Sequence, residues 1–137
     1  MDASRLAQGR TGDHVSHVVI LLADPDPDTR GELQDELEKA GHTVTAVATG
    51  LEAAQVLMQT VPSLIVLDLD LKWLSGRQLI SVLRRNPGTY FIPLVALGGA
   101  IEDLGGIPLL LRPVVPEQLL ALVHRFLSAN QHDGHVA

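Results

Sequence analysis

Short apolar runs recur along the chain, and each closes on a carboxylate, a glycine or a proline. HVVILLAD ends at Asp24, and in PSLIVLDLDLKWLSG the run LIVL leads straight into Asp68. Runs of this length without polar alternation predict strands covered on both faces, as in the parallel sheets of α/β proteins. Strands are expected at 18–24, 42–49, up to Asp68, at 93–97 and at 107–111. Between them the spacing turns helical. Asp26 is placed to cap a first helix with Pro27 in its opening turn, Leu33, Leu37 and Ala40 share one face, and Gly41 stops it. Ala54, Leu57, Met58 and Val61 form the stripe of a second helix ended by Pro62, and Leu79, Ile80 and Leu83 that of a third broken by Asn86-Pro87-Gly88. The last helix opens at Pro116 and buries Leu119, Leu120, Val123, Phe126 and Leu127.

Strands separated by helices at intervals of about twenty residues require right-handed crossovers and a parallel sheet. One interval breaks the rule. GGAIEDLGG, nine residues with four glycines, is too short and too glycine-rich for a full helix with its caps, so a loop or single turn is expected there. Residues 1–16 carry no period and are read as a flexible leader, 17–128 as one domain and 129–137 as a flexible tail.

The chain has 137 residues, enough for one domain with one core. Its 46% hydrophobic and 19% charged residues are those of an ordinary folded protein. A net charge of -6, with no basic cluster beyond Arg84-Arg85, argues against a nucleic-acid partner. With no cysteine there is no disulfide, thiolate nucleophile or thiolate metal site. No signal peptide or membrane-length run is visible, so the expected location is cytoplasmic, without a membrane partner. The histidine pairs His14 with His17 and His132 with His135 fall in the expected tails and are read as solvated.

Acidic residues that close buried parallel strands lie where such folds bind ligands. With Asp24 and Asp68 in those places, the chain resembles the receiver domain of bacterial response regulators, the CheY-like phospho-acceptor module, over residues 17–128. HVVILLADPDPDTR, PSLIVLDLDLKWLSG, YFIPLVAL and LLLRPVVPEQLL stand in the matching order. The resemblance implies a three-layer, flavodoxin-like (βα)5 fold, a doubly wound parallel sheet of order 2-1-3-4-5, here with the fourth helix shortened or absent. It implies Asp68 as the candidate phospho-acceptor, and Mg2+ held by Asp24, Asp68 and the backbone carbonyl of Asp70. Pro25, Asp26, Gly98, Arg112 and Pro113 would line the site, with a cis peptide before Pro113.

Three positions depart from the family pattern. Pro25 stands where a second acid belongs, Gly98 where a Ser or Thr grips the phosphoryl group, and Arg112 where a Lys does. Leu109 replaces the aromatic partner of that hydroxyl. Gly98 to Arg112 is shorter than in the family by about two helical turns. Mg2+ is therefore expected to bind weakly, because Pro25 removes an oxygen ligand and Asp26 is better placed as a helix cap. The guanidinium fork of Arg112 favours a carboxylate, and Asp68 and Arg112, read as ending adjacent strands, are expected in salt-bridge reach. Trp73 is read either as a lid over the site or as a partner anchor.

The function implied is a single-domain signalling protein of a two-component or phosphorelay system, not an enzyme, that works by protein contact with a histidine kinase or downstream target and can form a homodimer. Its signalling is expected to be degenerate or independent of phosphorylation; the alternative is a conventional receiver phosphorylated on Asp68 with Mg2+. The D-x-D of VLDLD also resembles the nucleophile motif of haloacid dehalogenase-type phosphatases, without that family's downstream lysine and acidic metal motif. No output domain is expected after the last helix.

Overall fold

A computed structural model describes residues 19–136, with side chains described as far as Ser128. The leader expected at 1–16 lies outside the described residues. In chain order the elements are β1 (Val19–Ala23), α1 (Pro27–Lys39), β2 (Thr43–Val47), α2 (Gly50–Leu57), β3 (Leu64–Asp68), α3 (Gly76–Arg85), β4 (Leu94–Gly98), β5 (Leu109–Leu111) and α4 (Pro116–Val136). The strands are all parallel, in the order β2-β1-β3-β4-β5. This is the predicted doubly wound 2-1-3-4-5 sheet.

Successive residues of a strand face opposite sides, so each central strand feeds two cores. Ile20, Leu22, Leu64, Val66, Val95 and Leu97 meet Leu33 and Leu37 of α1 and Leu119 and Val123 of α4. Leu21, Ala23, Ile65, Leu67 and Leu94 meet Ala53 of α2 and Leu79 and Leu83 of α3. All five residues of β3 are buried. An unbroken apolar run into Asp68 is what a strand with no solvent face demands.

No helix lies between β4 and β5, as the glycine-rich interval predicts. The strand that follows is only three residues long, and as the sheet edge it leaves Leu111 exposed. A short edge strand limits pairing with other chains.

Some element limits differ from the sequence reading. The helix α2 stops at Leu57 with Met58 as its C-cap; Ala54 and Leu57 of the expected stripe are half-buried against the core beside the buried Gly50 and Ala53, but Met58 and Val61 are exposed at 84% and 58%. The apolar stripe runs past the helix end into a turn at Met58 and Gln59, and Val61, which precedes Pro62, is held out of helical backbone. Ala40 is likewise an exposed C-cap. At the other end the backbone of α4 continues through the expected tail, 129–137, as far as Val136. No proline interrupts it there.

Two glycines fix the loop between β3 and α3. A Cβ on Gly50 would lie 1.7 Å from the carbonyl oxygen of Leu74, and its N–H donates to the Lys72 carbonyl at 3.0 Å. A Cβ on Gly76 would lie 2.1 Å from the carbonyl oxygen of Asp68. Only residues without side chains let α2 and α3 approach that loop so closely.

His42, half-buried between α1 and β2, has a buried Nδ1 with no hydrogen-bond partner. Burial, aided by the charge of His124, lowers its pKa below the ordinary imidazole value. A depressed histidine pKa stabilises the fold fully above the unfolded value of about 6.5, and that contribution is lost as pH falls through the folded pKa. Denaturant unfolding between about pH 7 and pH 5 should therefore show a smaller acid-side loss for His42→Leu than for the unaltered protein. Equal losses would place the titrating group elsewhere.

Candidate functional site at the carboxyl edge of the sheet

The acidic residues meet at the strand ends because β1 and β3 pair in register, Ala23 opposite Leu67. Asp24 follows β1 directly and is wholly buried; Asp68 ends β3 and is almost as deep. Two buried carboxylates repel one another and lose hydration, so a cation or a proton must accompany them. The cation present is Arg112, one residue beyond β5. Its Nε donates to Oδ2 of Asp68 at 2.9 Å, and its Nη2 donates both to that oxygen and, at 2.8 Å, to Oδ1 of Asp24. The side chain is 27% exposed.

The ion pair expected between Asp68 and Arg112 is present, although not across adjacent strands. The strand β4 lies between β3 and β5, and the reach of the arginine spans it. That reach also brings in Asp24, beyond what was expected. Burial opposes the guanidinium charge, but hydrogen bonds to Asp24 and Asp68 outweigh it and raise the Arg112 pKa above the ordinary arginine value. The peptide bond between Arg112 and Pro113 is cis.

Backbone donors complete the cluster. The Asp26 N–H donates to Oδ1 of Asp24 at 3.0 Å, and the Asp70 N–H to Oδ1 of Asp68 at 2.7 Å. Three of the four carboxylate oxygens thus accept hydrogen bonds, and the fourth, Oδ2 of Asp24, is buried without a partner. The site opens into a hollow of about 590 Å³ lined by Pro25, Asp26, Thr29, Asp68, Asp70, Gly99, Arg112 and Pro113.

The remaining site residues are committed elsewhere. Asp26 caps α1, accepting from the Thr29 N–H at 3.0 Å and from the Thr29 hydroxyl; that hydroxyl, then the backbone bond, hold its pKa below the usual carboxylate value. The carboxylate of Asp70 turns outward to Arg77, 3.1 Å away. Gly98 is buried and does not line the hollow; Gly99 does. A Cβ on Gly98 would lie 3.2 Å from Cδ1 of Leu69 and 3.3 Å from Cδ1 of Leu109. Leucine methyls thus crowd the place of the missing hydroxyl. Trp73 is 80% exposed and absent from the lining, which removes the lid reading. It sits at φ 72°, a conformation uncommon outside glycine.

A second ionic cluster escaped the sequence reading. Arg77, at the start of α3, grips Glu102 with two hydrogen bonds of 2.8 Å while also reaching Asp70. Those bonds to Arg77 lower the Glu102 pKa. The interval in place of the missing helix is thereby tied to the loop beside Asp68. Nothing in the spacing of Arg77 and Glu102 signals this contact; Thr29, three residues after the Asp26 cap, could have been found from the capping pattern.

Sheet order, acidic strand ends and the cis-proline turn agree with a direct match. The family model of the response regulator receiver domain covers residues 20–123. The chain belongs to the response regulator receiver family. It is 32% identical over 123 residues to the uncharacterized 14.6 kDa protein in the sodA1 3′ region of Leptolyngbya boryana, covering 84% of this chain and 94% of that one. It is 31% identical to the response regulator protein FleR of Pseudomonas aeruginosa, covering 86% of this chain and 27% of FleR. Of the other curated relatives compared, the receiver spans 28% to 49% of their length. Among solved structures, the response regulator from Desulfuromonas acetoxidans superposes with a TM-score of 0.71 at 28% identity, covering 82% of this chain and 98% of that one. The chemotaxis response regulator CheY4 of Vibrio cholerae matches in fold, with a TM-score of 0.74 at 22% identity over 80% and 98% of the two chains. Among the described residues of this receiver, no helix is long and apolar enough to cross a membrane.

A divalent ion fits this site poorly. Hard dications take about six oxygen ligands, whereas the guanidinium lies against both acids, Pro25 has no side-chain oxygen, and Asp26 and Asp70 point to other partners. Among the described residues no group of three or more acidic or histidine side chains is arranged to hold a metal. Removing the guanidinium would leave two buried carboxylates without a counter-charge. Arg112→Met should therefore destabilise the receiver by about 2–4 kcal/mol, somewhat less than for a fully buried pair because water reaches part of the arginine. A loss below about 0.5 kcal/mol in denaturant unfolding would show that the bridge contributes nothing.

Proposed function

We propose that this receiver transmits its signal by protein contact in a form that does not depend on phosphorylation of Asp68. The observation that carries this reading is Arg112 lying on Asp24 and Asp68 together. The oxygen of Asp68 nearest the guanidinium already accepts two N–H donors, which lowers its readiness to attack a phosphoryl group. Reading a phosphate also requires a group that changes partner when it arrives. Gly98 has no hydroxyl to move, Leu109 no ring to follow it, and the methyls of Leu69 and Leu109 fill the space between. A ligand shifts an equilibrium only through its different affinity for the two states.

In this reading the protein is a signalling module and not an enzyme. Its partners are a histidine kinase or a downstream protein of a two-component system, and a homodimer is compatible with the same mode of contact. The charge of -6 disfavours nucleic acid, and a cytoplasmic location without a membrane partner completes the proposal. Mg2+ binds weakly at most, for want of ligands. The second reading, a conventional receiver phosphorylated on Asp68, draws support from one feature: Asp68 lines an open hollow through which a donor can approach.

Incubation with acetyl phosphate or beryllofluoride in Mg2+, followed by intact mass and amide hydrogen exchange, separates the two. No mass shift at Asp68 and unchanged exchange across 99–111 are expected. A stoichiometric adduct that changes protection there about tenfold, worth about 1.4 kcal/mol, would establish the conventional switch.

A further inference from the structure

We infer that Arg112 is a tethered counter-ion that excludes a divalent metal from the Asp24–Asp68 pair, so that withdrawing its guanidinium creates a site for a hard divalent cation. The inference deepens the phosphorylation-independent reading by naming what holds the acids when no metal does. Its basis is the occupancy of the carboxylates. Oδ1 of Asp24 and Oδ2 of Asp68 accept from the guanidinium, and the same Asp24 oxygen and Oδ1 of Asp68 accept from backbone N–H groups. A dication approaching the pair would meet a fixed positive charge in contact with both acids, and would have to displace those donors. Repulsion at such separations, in a partly buried site, is far stronger than in water. Arginine cannot relieve it by losing its proton near neutral pH.

The unpartnered oxygen points to the converse. Oδ2 of Asp24 belongs to a wholly buried side chain and accepts no hydrogen bond. An isolated carboxylate oxygen of that kind is costly, and an oxygen-seeking ion would satisfy it. While Arg112 holds Oδ1 the charge is balanced only in part, one guanidinium against two acids. With the arginine shortened, Oδ2 of Asp68, on the wall of the hollow, loses its donors and Oδ1 of Asp24 keeps only the Asp26 N–H, while the hollow supplies room for the waters a small dication retains.

Calorimetry and thermal unfolding of the full chain with MgCl2 and MnCl2 test this, comparing the unaltered protein with Arg112→Met and Arg112→Lys. The unaltered protein should give no saturable heat and no rise in Tm at millimolar metal. Arg112→Met should start from a lower Tm, regain part of it with either metal, and bind Mn2+ at least tenfold more tightly, a response that Asp24→Asn in the same background abolishes. Arg112→Lys, which keeps a charge but cannot fork across both acids, keeps the test open if the methionine variant does not fold; its affinity should exceed that of the unaltered protein. Saturable binding by the unaltered protein, equal affinity in the variants, or a response that survives Asp24→Asn would overturn the inference. A stoichiometric adduct on Asp68 that changes exchange across 99–111, in the absence of saturable metal binding, would overturn the phosphorylation-independent reading alone, so the two can fail separately.

Discussion

Everything at the carboxyl edge of the sheet depends on neutralising two buried carboxylates. Asp24 and Asp68 are delivered there by paired central strands whose side chains are otherwise wholly apolar, and both carboxylates are buried. A mobile metal ion would make the balance of charge depend on solution conditions. A guanidinium makes it permanent, because the cation belongs to the chain and stays charged near neutral pH. Its planar fork lets Nη2 touch both acids while Nε holds one of them, a geometry a single ammonium cannot reproduce.

The surroundings are consistent with a site held in one state. Gly50 and Gly76 press the loop after Asp68 against two helices, and Arg77 ties that loop through Glu102 to the interval where a helix is missing. The crowding of Leu69 and Leu109 around Gly98 fills the space in which a hydroxyl would otherwise move. Close-packed interiors switch between discrete arrangements more readily than they deform continuously, and here the second arrangement lacks its polar partner.

Much of this was legible in the chain. Continuous apolar runs that end on Asp24 and Asp68 identify central parallel strands, because they are too short for a buried helix and are bounded by turn residues, and GGAIEDLGG cannot be mistaken for a helix. Less could be read where an outcome depends on length or direction. The stripe through Met58 and Val61 is real in spacing, but the helix ends at Leu57, and the turn before Pro62 carries its last two positions out to solvent. Arg112 was foreseen beside Asp68, while its hold on Asp24 depends on side-chain reach across two intervening strands. Trp73 reads from sequence as a lid or a partner anchor, and its exposure, away from the lining of the hollow, speaks against the lid. The Arg77–Glu102 contact joins residues 25 apart across a loop with no periodic signal.

The most direct measurement of the central claim is a double-mutant cycle on stability, pairing Arg112→Met in turn with Asp24→Asn and Asp68→Asn. Such cycles isolate the coupling between two side chains from their separate contributions. A guanidinium shared by both acids predicts coupling above about 1 kcal/mol with each of them. Additive losses, within about 0.5 kcal/mol for either acid, would contradict the claim that Arg112 holds the pair.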